Sequence, residues 1–264
     1  LTEIHTRVLT EGYIKAGEKN PVVWLEVYDL ESNTRKSVDV GQHNRDQYIY
    51  NMRFTPDGTE LLFNRTDRHQ HTLEVMALDI NTVATRIVVK EFQPTWQENS
   101  PEMIFLEDGK RFIWETEKSG WRQYELRHLD GRLLTSLTGG EQMPAQSIEM
   151  VDEQNGYLYY AARSSEHPLC EYLHKVNLDG SRRRRITPLA RDLNYSSFNI
   201  SPDGKWVVAR RESVAKPPST YLFSTEGELV IPLAEGPDMI NRRTELFTFK
   251  AADGETDLYG YLHK

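Results

Sequence analysis

Hydrophobic residues in this chain fall into runs of strand length, rich in aromatic and β-branched types, and polar turns break each run before any helical stripe develops. Four of the breaks share one form. FTPDGTELLF, FLEDGKRFIW, DEQNGYLYYA and ISPDGKWVVA place Asp57-Gly58, Asp108-Gly109, Asn155-Gly156 and Asp203-Gly204 between two apolar runs. Asp-Gly and Asn-Gly suit two-residue type I′ turns, whose central positions both need positive φ, so each pair predicts an antiparallel hairpin. A variable polar stretch follows each second strand (RTDRHQH, TEKSGWRQ, RSSEHPLC, ESVAKPPS), and then a third strand: LEVMALD, YELRHLD, EYLHKVNLD or YLFSTEG. Fourth strands are expected at TRIVV, RLLTSLT, SRRRRIT and ELVIPL, with Asp130-Gly131, Asp179-Gly180 and Glu226-Gly227 as corners of the second hairpin.

From Gly58 to Gly109, Gly156 and Gly204 the steps are 51, 47 and 48 residues. That is the period of a β-propeller blade, and four strands per repeat make one blade. The fold is therefore read as all-β: a β-propeller with four-stranded antiparallel blades, about four of them complete, at about 48–92, 100–140, 146–188 and 195–234. Asn20 to Val40, NPVVWLEVYDLESNTRKSVDV, reads as a third and fourth strand with no first hairpin before them. It is taken as a partial blade at 13–40, so the chain is expected to open partway through a larger propeller, with 1–244 as the propeller portion.

Composition narrows the partners. The 264 residues suffice for one large β domain or two small ones, and a net charge of −8, from 40 acidic and 32 basic residues, argues against a nucleic-acid surface. The tetra-arginine Arg182 to Arg185 is the local exception and is read as a solvated edge strand, where charge discourages sheet-to-sheet aggregation. Cys170 is the single cysteine, which excludes a disulfide within the chain, and in LCEYL it reads as a small buried hydrophobe. No apolar run approaches membrane-spanning length, so no membrane span is expected here. Sequons at Asn64, Asn194 and Asn199 are short enough to arise by chance.

The chain contains no GxSxG elbow, Walker loop, HExxH, paired CxxC or Rossmann glycine cluster. His69 and His71 would point to one side of a strand, but no further ligands stand near them, so they are read as a solvated connection. No metal site and no cofactor is predicted. Acidic pairs such as Glu115 and Glu117, Asp152 and Glu153, and Asp253 and Glu255 are read as solvated faces. Trp96 stands apart. It lies in FQPTWQENSPEMIF, an irregular stretch leading into a first strand. In a propeller such stretches run toward the central channel, which makes Trp96 a candidate for the wall of a substrate pocket, with packing between blades as the alternative.

Three segments carry a family resemblance. YIKAGEKNPVV, from Tyr13 to Val23, resembles the YPKAGxxNPxV segment in the propeller of the dipeptidyl peptidase IV family, S9-type serine peptidases of the prolyl oligopeptidase clan. TEKSGWRQYEL, from Thr116 to Leu126, is similar to a blade pattern of that family in which a Gly and an aromatic turn the second strand into the third. ELFTFKAADGETDLYGYLHK, from Glu245 to Lys264, is similar to the family's passage out of the propeller, so 245–264 is expected to start the transition into an α/β-hydrolase domain.

The resemblance implies the non-catalytic second half of an eight-bladed propeller in a serine exopeptidase that releases N-terminal dipeptides or tripeptides with Pro or Ala at the cleavage or penultimate position. The catalytic Ser, Asp and His, and the glutamate pair that holds the substrate's amino group, belong to family segments outside this sequence, so no catalytic residue is assigned. Its implied partners are the α/β-hydrolase domain of the same polypeptide, peptide substrates and a second copy in a homodimer, with an extracytoplasmic location if the source is bacterial. The competing reading is a TolB-like or WD40-like propeller that acts as a binding scaffold without peptidase activity, since SPDGK and TPDGT turns occur in both groups.

Overall fold

A computed structural model describes residues 8–41, 46–139, 144–165, 167–189, 193–214, 216–236 and 244–263. The described residues hold β-strands and turns, with no helix long and apolar enough to cross a membrane. They divide into two compact units, Leu1–Ser100 and Pro101–Lys264.

In the first unit β1 (Leu25–Asp29) and β2 (Thr34–Val38) form an antiparallel hairpin. β3 (Gln47–Phe54), β4 (Glu60–Asp67), β5 (Thr72–Asp79) and β6 (Thr85–Phe92) follow as a four-stranded meander. The second unit contains three more meanders of the same order. They are β7 (Met103–Phe105) to β10 (Leu133–Ser136), β11 (Ala145–Asp152) to β14 (Arg184–Arg185), and β15 (Asn194–Ile200) to β18 (Leu229–Ala234). A last hairpin pairs β19 (Thr244–Lys250) with β20 (Asp257–His263). The all-β reading with four-stranded antiparallel blades therefore holds.

Packing explains why these strands are apolar on two faces. In β12 (Tyr157–Ser164), Leu158, Tyr160 and Ala162 pack with Leu106, Ile113 and Leu126 of the preceding sheet. The alternate residue Tyr159 packs with Tyr195, Val207 and Phe223 of the following one. A period of two thus feeds both faces of one sheet, each covered by a neighbouring sheet, which is how propeller blades stack. In the first unit Val38, Val40, Phe63, Met76 and Leu78 do the same between the β1–β2 hairpin and the β3–β6 sheet.

The turns differ from the expected type I′. Gly58, Gly109, Gly156 and Gly204 have φ of 69, 64, 75 and 67°, but the residue before each keeps an ordinary negative φ. Three of these loops hold four residues, closed by Thr55 N–H to Glu60 O (2.9 Å), Leu106 N–H to Arg111 O (2.9 Å) and Ser201 N–H to Trp206 O (2.8 Å). Pro56 and Pro202 fix the negative φ of the first central residue. The Asp carboxylate accepts the N–H two residues on, from Thr59 (3.1 Å), Lys110 (2.8 Å) or Lys205 (3.1 Å), so glycine alone has to take the left-handed conformation. The same loop recurs at Asp253-Gly254, where Ala251 N–H reaches Thr256 O at 2.8 Å.

The tetra-arginine lies at the edge of its sheet, as read, with Arg182 and Arg183 exposed, but the edge is engaged and not merely solvated. Arg182 has φ 53°, and only Arg184 and Arg185 pair with β13 (His167–Asn177), so the fourth strand here is two residues long. The cause is a clamp. Arg183 donates to the backbone oxygens of Leu137 (2.9 Å), Ser136 (2.8 Å) and Gly139 on the preceding sheet's side. Arg184 donates to the Glu226 carboxylate at 2.6 Å on the following sheet's side.

Candidate functional site

A four-stranded meander has two unlike ends. Turns from the first strand to the second and from the third to the fourth lie at one end, and here most are short Asp-Gly, Asn-Gly or Glu-Gly loops, the β5–β6 turn through Asn81 and Val83 being the exception. The other end holds the connections from the second strand to the third and from the fourth to the next sheet, whose sequences vary. Variable loops on a rigid scaffold are where binding residues concentrate.

In the first unit that end is organised by Asp67. Its carboxylate accepts the N–H groups of His69 (2.8 Å), Thr72 (2.6 Å) and His71 (3.4 Å), which winds residues 68–71 into a tight connection with Gln70 at φ 56°. Partial burial works against ionisation of Asp67, but these N–H groups together outweigh it and hold the carboxyl below its usual range. Gln70 then pins the lead-in stretch: its backbone oxygen accepts Gln97 N–H at 2.7 Å and its side-chain oxygen accepts Trp96 Nε1–H at 2.6 Å.

Trp96 is thereby fixed by its polar edge while half its surface stays exposed. Close by in the chain, the His69 and His71 rings stack at 5.7 Å, and His71 meets the exposed Phe92 edge-on at 6.3 Å. Rings anchored at one polar atom and open on a face suit contact with an aliphatic or proline ring.

Beside this connection lies a cavity of about 580 Å³. Strand register builds one wall: Arg65, Glu74 and Lys90 are direct cross-strand partners on β4, β5 and β6. Arg65 Nε–H donates to Glu74 Oε2 at 2.9 Å and Lys90 Nζ lies 2.9 Å from Glu74 Oε1. Burial opposes the charge on Glu74, and the two cations overcome it to keep the carboxyl below its usual range. Gln47 and Thr66 line the same cavity, and Gln47 Nε2 is buried with no hydrogen-bond partner among the described residues.

In the second unit a cavity of about 330 Å³ is lined by Pro168, Leu169, Cys170, Leu246, Tyr259 and Tyr261, which makes the half-buried Cys170 part of an apolar wall. A third cavity, about 320 Å³, gathers Arg163 with Arg183, Arg184 and Arg185. Reading the tetra-arginine as a solvated edge places the strand at the sheet edge but does not foresee this cavity. The signal available was four cations in an acidic chain, which has no reason to concentrate them without partners.

The family model for the dipeptidyl peptidase IV (DPP IV) N-terminal region matches residues 2–218. A protein of Aspergillus clavatus assigned as dipeptidyl-aminopeptidase B is 30% identical over 189 residues, covering 66% of this chain and 20% of the relative. Among solved structures, a Bacteroides ovatus protein assigned as a dipeptidyl aminopeptidase IV matches with a TM-score of 0.77 at 20% identity, over 100% of this chain and 40% of that one. Porphyromonas gingivalis dipeptidyl peptidase 4 gives 0.74 at 19% identity, over 98% and 37%. The chain thus spans about a fifth of the curated relative's length.

Proposed function

The chain belongs to the dipeptidyl peptidase IV N-terminal region family, and from that premise we propose that it is the non-catalytic propeller portion of a serine exopeptidase that releases N-terminal dipeptides or tripeptides with Pro or Ala at the cleavage or penultimate position. The observation that carries this reading is the family match across residues 2–218, on a fold of four-stranded blades. In the parent polypeptide, residues 245–264 lead into an α/β-hydrolase domain that supplies the catalytic Ser, Asp and His, and two parents pair as a homodimer. The propeller's part is positional: it limits entry to slim peptide ends and shapes one wall of the pocket.

Trp96 is the residue assigned to that wall. Its indole N–H is tied to Gln70, which leaves the ring face for the substrate side chain next to the scissile bond.

Kinetics of the full-length parent on a Gly-Pro chromogenic substrate provide the test. The parent cleaves it, the 264-residue chain does not, and Trp96→Ala in the parent raises KM several-fold with kcat nearly unchanged, as loss of uniform binding requires. Cleavage by the isolated chain, or an inert parent, overturns the assignment. An unchanged KM in Trp96→Ala removes Trp96 from the pocket and leaves the rest standing.

A further inference from the structure

The cavity that gathers the arginines lies in the second unit, among β12, β13 and β14 and the loop after β10. Arg163 comes from β12, Arg184 and Arg185 from β14, and Arg183 from the residue before it. None of the described residues lining it is a carboxylate, in a chain whose net charge is −8.

Arg163 reaches the Pro168 backbone oxygen at 3.4 Å and has the Glu171 carboxylate as its cross-strand neighbour, while the other three guanidinium groups are held with little of their charge cancelled. Arg183 is fixed by three backbone oxygens, which orient it without neutralising it. Arg185 stands over the Tyr172 ring at 5.4 Å. Arg184 has the Glu226 carboxylate, but Glu226 also faces Lys175 at 3.6 Å, so one anion serves two cations. Converging guanidinium groups repel, and a fold that holds them rigidly in a concave site has prepaid the ordering that an anion would otherwise require.

The rest of the lining selects the anion. His174 stacks on Tyr160 at 5.3 Å, and its Nδ1 lies 3.1 Å from the Tyr172 backbone oxygen. A carbonyl can only accept, so Nδ1 carries the hydrogen and Nε2 is the acceptor. Such a site pairs planar donor forks with one neutral acceptor. Hydrogen phosphate complements it: its oxygens accept from guanidinium groups bidentately and its hydroxyl donates. A volume of about 320 Å³ exceeds one phosphate and leaves room for a small organic group.

We propose that this cavity binds a phosphate group, free or carried on a small organic ester, through Arg163, Arg183 and Arg185, with His174 accepting from the hydroxyl of hydrogen phosphate or of the singly ionised ester. The site is independent of the peptidase assignment. It concerns ligand binding by the propeller alone and can be measured on this chain.

The test is titration calorimetry of the 264-residue chain with inorganic phosphate, sodium glycerol phosphate and sodium acetate, each at constant ionic strength set with chloride. Saturable binding of phosphate or its ester is expected, with acetate at least tenfold weaker. Ester tighter than inorganic phosphate identifies a phosphomonoester site, and the reverse a site for the free ion. Arg183→Gln also removes the clamp on Ser136, Leu137 and Gly139, so the decision rests on Arg163→Gln and Arg185→Gln, with native folding verified by near-ultraviolet circular dichroism. Each is expected to weaken phosphate about tenfold. No saturable binding to the native chain, equal binding of acetate, or unchanged affinity in both folded variants overturns the proposal.

Discussion

His174 shows how much one side chain's surroundings can decide. Burial pushes its imidazole down, the hydrogen bond to the Tyr172 carbonyl opposes this, and the Arg185 charge adds to the fall, leaving a pKa of about 4. In the unfolded chain a histidine titrates near ~6.5, so between those values the unfolded state takes up a proton that the native state refuses. Stability is therefore complete above pH ~6.5 and is lost as pH falls toward about 4, by an amount on the order of 3 kcal/mol for this group. Urea unfolding at pH 7 and pH 4.5 checks it: His174→Gln should lose about 2 kcal/mol less than the native chain over that interval, and equal losses would refute the shift. At this scale the sequence was only partly legible. The sequon at Asn64 is fully buried, with its side-chain oxygen accepting from Arg53 at 3.2 Å, while Asn199 is exposed, and nothing in the tripeptides separates the two. Trp96 was legible as an irregular aromatic, but its anchor, Gln70, lies 26 residues away and depends on a connection wound by Asp67.

The hairpin is the element that sequence reveals best, because Asp-Gly between apolar runs has few other uses. What it conceals is the turn's closure. The Pro at Pro56 and Pro202 and the Asp carboxylate favour a four-residue loop with a single left-handed glycine, and the neighbouring sheet decides what that glycine costs to replace. Gly58 has nothing within 4 Å of where a Cβ would stand, whereas a Cβ on Gly204 would lie 2.8 Å from Asp152 Oδ2. Both glycines have positive φ, so Gly→Ala at either position costs about 1 kcal/mol of conformational strain. Gly204→Ala must also displace a carboxylate beside the hydrogen bonds that Tyr159 (3.2 Å) and Thr225 (2.7 Å) make to the Gly204 oxygen. Denaturant midpoints should thus place Gly204→Ala at least 1 kcal/mol below Gly58→Ala, and equal effects would show that the neighbouring sheet yields freely. The shortened β14 follows the same rule. Nothing within SRRRRIT marks Arg183 as a clamp, since its acceptors belong to residues 136–139 of another sheet.

For the whole molecule, the unresolved question of covering falls on the last hairpin. Strand register sets Phe247 opposite Gly260, Phe249 opposite Leu258 and Glu245 opposite Leu262, so these residues share one face, and Leu246, Tyr259 and Tyr261 share the other. The second face lines the cavity with Leu169 and Cys170. The first carries Phe247, Phe249, Leu258 and Leu262, all between 40% and 47% exposed, with the two phenylalanine rings stacked at 5.6 Å. Leu246, Tyr259 and Tyr261 on the second face are also exposed, so a two-stranded sheet with apolar residues open on both faces is not stable in water by itself, and exposed contiguous apolar surface promotes association. Under the proposed function the remaining polypeptide covers this face. When the 264-residue chain is prepared by itself, the face has only other copies to meet. Light scattering is accordingly expected to show concentration-dependent association, and Phe247→Thr with Phe249→Thr, which keep β propensity while removing the stacked rings, should return the chain to monomer. A native chain that stays monomeric into the hundred-micromolar range would mean that the face is covered from within, and would weaken the case for a domain following β20. Association that persists in the double variant would locate the sticky surface elsewhere, with the exposed Trp24 before β1 and Tyr28 within it the next place to test.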